Sequence, residues 1–99
     1  MTLEELYKII EDRKKNMPSG SYVASLFRNG KDRIIQKVGE EATEIIIAAK
    51  NESKSRQIEE FTDLFFHALI LMVALNISPA DIANELSRRN KLKKKRVIQ

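Results

Sequence analysis

The segment EEFTDLFFHALILMVAL, residues 59–75, limits the possible folds more than any other part of the chain. It carries no glycine or proline and is apolar over most of a helical circumference. Such a helix belongs inside a protein. On a wheel of about 100° per residue, Glu60, Asp63 and His67 fall within about 60° of one another. A core helix with one polar stripe needs something polar opposite that stripe.

The rest of the chain supplies helices to surround it. With three glycines and two prolines in 99 residues, and no alternating strand pattern, the periodicity predicts an all-α domain. Thr2 and Glu5 form a capping box for a first helix over 2–16. Met17-Pro18-Ser19-Gly20 breaks it. Residues 21–29 read as a short helical or irregular piece ended by Gly30. A second long helix is expected over about 31–50 and a third over about 55–75. Ser78-Pro79-Ala80-Asp81 starts a fourth, running to about residue 90. The expected architecture is a bundle of four main helices completed by dimerisation. Residues 1–90 form a single domain in this reading, and 91–99 a basic C-terminal tail.

On the second long helix, Ile34, Val38, Ile45 and Ala49 cluster within about 60° as the predicted core stripe. Glu41 falls beside them and Glu44 at the stripe's edge, while Glu40 points nearly the other way. Lys37 and Arg33 share the rim of Glu41 and Glu44, one and two turns earlier. The short connection makes the second and third helices antiparallel neighbours, so Glu41 and Glu44 should face Glu60 and Asp63. Four carboxylates bordering a core repel, and their desolvation is costly unless they are protonated, paired or bound to a cation. A hard divalent ion, Mg²⁺ or Mn²⁺, suits an all-oxygen donor set. Lys37 and Arg33 are candidate phosphate contacts, with an i,i+4 pair to Glu41 as the alternative role of Lys37. His67 is a candidate substrate-binding residue that supports the acids or helps position a phosphate, or else a hydrogen-bonded residue of the helix seam.

Composition excludes several chemistries. With no cysteine there is no thiolate nucleophile, disulfide or zinc–thiolate site. The longest apolar run, 68–75, is too short to span a bilayer. The first residues lack the pattern of a secretion signal, so a cytoplasmic location is expected. The formal charge is +4, but residues 88–96 hold seven of the eighteen Lys and Arg, leaving an acidic excess elsewhere. That run allows a nucleic-acid arm. No aromatic residue interleaves it, so a solubilising tail is preferred and nucleic acid is not the expected partner.

EEATE followed by EFTD resembles the E-E-x-x-E…E-x-x-D pattern of the all-α, MazG-type nucleotide pyrophosphohydrolases. The wider stretches SYVASLFRNGKDRIIQKVGEEATEIIIAAKN (21–51) and EEFTDLFFHALILM (59–72) resemble the phosphoribosyl-ATP pyrophosphohydrolase family of histidine biosynthesis. The resemblance implies hydrolysis of the α–β phosphoanhydride of phosphoribosyl-ATP to phosphoribosyl-AMP and pyrophosphate, Mg²⁺ dependence, and a helical homodimer. It implies Glu41, Glu44, Glu60 and Asp63 as metal ligands, with Glu40 nearby. Asn90 departs from the histidine that commonly follows the paired arginines. Two alternatives stay open: a house-cleaning nucleoside triphosphate pyrophosphohydrolase, and a non-catalytic helical dimer that binds nucleic acid through its tail.

Overall fold

The computed structural model describes residues 1–92, and all of its regular structure there is helical. The elements are α1 (Leu3–Asn16), α2 (Tyr22–Asn29), α3 (Lys31–Asn51), α4 (Lys54–Ala74) and α5 (Pro79–Lys91). The four expected long helices are present, and residues 22–29 form a true short helix between the first two. Most of the expected tail lies outside the described residues.

Local sequence explains the helix ends. The Thr2/Glu5 capping box is formed, as is a second between Ser78 and Asp81 with Pro79 at the start of α5. Ser21 and Ser53 cap α2 and α4 through their hydroxyls. Gly30 joins α2 to α3 at φ 102°, a backbone conformation that strongly favours glycine. Asn76, at φ 59°, turns the chain out of α4, and α5 leaves α4 at 100°. Tyr7 donates its hydroxyl to the carbonyl of Ile77 at 2.7 Å, which ties that turn back to α1.

α3 and α4 form an antiparallel hairpin, the most extensive helix pairing among the described residues. Gln57 donates its side-chain amide to the carbonyls of Ala48 and Glu52, closing the end of α3. α1 and α2 pack across the other end of the hairpin, and the core lies there around the fully buried Ile10, Ile34 and Ile70. No residue of α5 is buried.

Besides Lys37 and Ala42 at the margins, the covered positions of α3 are 34, 38, 41, 45 and 48. Their spacing of four, three, four and three is the 3.5-residue seam of a coiled-coil-like pair, and it drifts from a straight wheel by about 20° per heptad. This corrects the expected stripe at its end: Ala48 is buried and Ala49 exposed. It also puts Glu41 inside the seam. On α4, positions 57, 60, 64, 67 and 71 form the matching seam, which includes Glu60 and His67. A second α4 stripe, Ile58, Phe61 and Phe65, remains about half exposed, together with Ile46 and Ile47 of α3.

Candidate metal and phosphate site

The hairpin brings the seam acids together. Glu41, Glu60 and Asp63 each offer a carboxylate oxygen within 4.8 Å of the others. Glu60 is buried, the Glu41 side chain is 12% exposed, and Asp63 stands at the exposed rim. Glu44 lies outside this three-residue group, exposed one turn beyond Glu41. Its charge nonetheless reaches Glu60. Burial pushes the Glu60 pKa up; the charge of Arg56 opposes this, while those of Asp63, Glu44 and Glu41 add to it.

Cations flank the acids on two sides. Lys37 places its ammonium 3.5 Å from Glu41 and 3.3 Å from Glu40. Burial lowers the Lys37 pKa, but the hydrogen bond and charge of Glu40, with smaller contributions from Tyr22 and Glu41, leave it raised overall. Glu40 is exposed, accepts from Gln36 at 3.0 Å, and has Arg33 at 4.0 Å. It is therefore turned away from the acidic group, as the wheel indicated. Its hydrogen bond from Lys37 lowers its pKa, against a smaller opposing effect of burial. Arg33 reaches the site only through Glu40.

Arg56 is a further member of the site, outside the acidic pattern of the sequence. It donates to Glu60 at 2.7 Å and to Glu59 at 2.9 Å. Its place one turn before Glu60 was the available signal.

His67 is buried with both ring nitrogens engaged. Nδ1 lies 2.8 Å from the carbonyl of Asp63, an acceptor only, so Nδ1 carries the proton. In the neutral ring, Nε2 then accepts from the hydroxyl of Tyr22 at 2.9 Å. Tyr22 stacks on Phe66. The histidine thus joins α2 to α4 beside Asp63. Nothing in hydrophobic periodicity pointed to Tyr22.

The donor set fits a hard cation. It offers only oxygens, and one carboxylate is already desolvated. Two oxygens bound at about 2.1 Å to one Mg²⁺ lie up to about 4.2 Å apart, so small side-chain rotations would close the group around an ion.

Among the described residues, no single helix is long and apolar enough to cross a membrane. Arg88 and Arg89 of the basic run are both paired with Glu85, at 2.6 and 2.8 Å.

The chain is similar to known proteins over most of its length. Residues 3–90 match the phosphoribosyl-ATP pyrophosphohydrolase family. A phosphoribosyl-ATP pyrophosphatase of Geobacter sulfurreducens is 51% identical over 87 residues, covering 88% of this chain and 81% of that protein. One from Sulfolobus acidocaldarius is 49% identical over 89 residues, covering 90% and 94%. The histidine biosynthesis bifunctional protein HisIE of Caldanaerobacter subterraneus is 51% identical over 89 residues, which cover 90% of this chain and 43% of that protein. With the match spanning nearly all of α1 to α5, the chain belongs to the phosphoribosyl-ATP pyrophosphohydrolase family.

Proposed function

We propose that this chain hydrolyses phosphoribosyl-ATP to phosphoribosyl-AMP and pyrophosphate, a step of histidine biosynthesis, in the cytoplasm, with Mg²⁺ (or Mn²⁺) as cofactor. The observation that carries the reading is the convergence of Glu41, Glu60 and Asp63 at the α3–α4 seam, within a chain of this family. Glu41, Glu60 and Asp63 would hold the cation, and Glu44 would join them by a rotation of its exposed side chain. When bound, the ion supplies neutralisation of phosphate oxygens and acidification of water. Asp63 and Glu44, at the solvent-facing rim, are placed to orient the attacking water and accept its proton. The water oxygen forms a bond to the α-phosphorus, the α–β bridging bond breaks, and pyrophosphate leaves with that bridging oxygen. Lys37 stabilises the growing negative charge. Arg33 contributes at longer range. His67 holds the Asp63 turn through its backbone hydrogen bond.

The active form in this reading is a homodimer. Its support is the half-exposed stripe Ile58, Phe61 and Phe65 beside Ile46 and Ile47. An uncovered apolar face of this kind marks an association surface. Leu71 is partly buried against the core, so Phe61, and not Leu71, is the α4 residue proposed for the contact.

The test is pyrophosphate release from phosphoribosyl-ATP and from a panel of nucleoside triphosphates, with and without Mg²⁺. The proposal expects metal-dependent release and a strong preference for phosphoribosyl-ATP. Equal rates across the panel would reassign the chain to house-cleaning hydrolysis.

A further inference from the structure

Arg56 stands where a divalent cation would compete with it. Its Nη2 lies 2.7 Å from Oε1 of Glu60, the buried carboxylate of the acidic group. Its other nitrogens reach Glu59 at 2.9 Å and Glu52 at 3.5 Å. These last two are surface residues outside the proposed site. Lys37 does the same for Glu41 from the opposite end of the group. The two cations thereby hold two of three mutually repelling carboxylates.

The guanidinium is also built to let go. Its side chain is 46% exposed, so it turns away from Glu60 without becoming buried. Two further carboxylates then retain it, so its release does not strand an unpaired charge. Lys37 lacks that freedom: its side chain is 19% exposed.

We propose that Arg56 is an exchangeable internal counter-ion, occupying the Glu60 carboxylate in the metal-free protein and yielding it to the divalent ion, so that it sets the affinity of the site for metal. This rests on reading Glu41, Glu60 and Asp63 as a cation site. Arg56 is a positioning residue in this role and touches no reacting atom. Without it, Glu60 is an uncompensated carboxylate in the free protein, and a divalent ion meets one fewer positive charge.

The experiment titrates Mn²⁺ into the metal-free full-length chain, followed by electron paramagnetic resonance, for wild type, Arg56→Met and Arg56→Lys. Lys8→Met, on α1 and outside the site, controls for net charge. Removing one charge beside a partly screened divalent site should tighten Mn²⁺ binding by roughly tenfold in Arg56→Met. Arg56→Lys and Lys8→Met should stay within about threefold of wild type by the same screening argument. Melting supplies a second readout. Metal-free Arg56→Met should melt below wild type, and saturating Mn²⁺ should close most of that gap. A purely structural arginine would lower both curves equally. Unchanged or weaker Mn²⁺ binding in Arg56→Met, or an equal melting deficit with and without Mn²⁺, overturns the counter-ion role alone. Absence of Mn²⁺ binding by wild type overturns it together with the cation site.

Discussion

Glu41 of α3 and Glu60 of α4 occupy facing seam positions and, with Asp63, bring carboxylate oxygens within 4.8 Å of one another. In an ordinary helical hairpin such positions hold apolar side chains. Here the chain gives up apolar contact at the middle of its longest interface and places like charges there. Lys37 and Arg56 offset part of the repulsion. The protein without metal is therefore electrostatically frustrated at the place where the proposed chemistry occurs.

Metal should accordingly stabilise the fold. Mg²⁺ or Mn²⁺ at a hundredfold excess over its Kd is worth about 2.7 kcal/mol by mass action. For a domain of this size that corresponds to a rise in Tm of roughly 10 °C or more. Asp63→Asn should reduce turnover by about a hundredfold or more, as expected for loss of a group that acts in the transition state. Its metal-free Tm should equal or exceed that of wild type, because one repelling charge is gone. Differential scanning calorimetry with and without EDTA checks the melting temperatures, and a pyrophosphate-release assay checks the turnover. Undiminished wild-type turnover in excess EDTA would exclude the metal site.

Lys37 is tied to the acids by geometry, whereas the basic run after Arg89 has no such tie among the described residues. Lys37→Met should lower kcat/KM by about tenfold or more if one charge-assisted phosphate contact of roughly 1.5–3 kcal/mol is lost. Truncation after Arg89 should cost much less, through weaker long-range attraction of an anionic substrate, and that loss should fade at high salt. Steady-state kinetics at two ionic strengths separates the two. A truncated chain inactive at physiological salt, beside an active Lys37→Met variant, would show that the phosphates have been misplaced.

The half-exposed Ile58–Phe61–Phe65 stripe should be an interface between copies. Phe61→Glu puts a charge on that stripe without opening the core, since Phe61 is 46% exposed. Sedimentation velocity at micromolar concentration should show a wild-type dimer and a largely monomeric variant. A wild-type monomer under those conditions would contradict the assembly.

Tyr22→Phe should weaken the α2–α4 junction. It leaves Nε2 of the buried His67 without its partner, a loss of about 1–2 kcal/mol for an unsatisfied buried acceptor. That corresponds to a fall in Tm of about 5–15 °C for a domain of about this size. Thermal melts followed by circular dichroism measure it. A melting temperature unchanged from wild type would mean that the Tyr22–His67 bond contributes nothing.

The sequence by itself determined the helices and their ends. Capping boxes, Pro79, Gly30 and the Met17-Pro18 break act within a few residues, so local chemistry settles them. It also determined that Glu41, Glu44, Glu60 and Asp63 border the apolar faces of two adjacent helices, because that is a matter of angle along each helix. Tertiary structure decided what those angles could not. The 3.5-residue seam of the α3–α4 pair, rather than a straight wheel, put Ala48 in the interior in place of Ala49 and carried Glu41 inward with it. Depth within the seam then separated the buried Glu60 from the rim residues Asp63 and Glu44. The contact of α2 with α4 engaged the second nitrogen of His67 through Tyr22, forty-five residues away in sequence. Periodicity along one helix carries no information about a partner so distant. The same depth turned an unremarked i,i+4 neighbour, Arg56, into the counter-ion of the buried Glu60: the spacing was visible in the chain, but a surface pair and a pair to a desolvated carboxylate look identical until the second helix is in place.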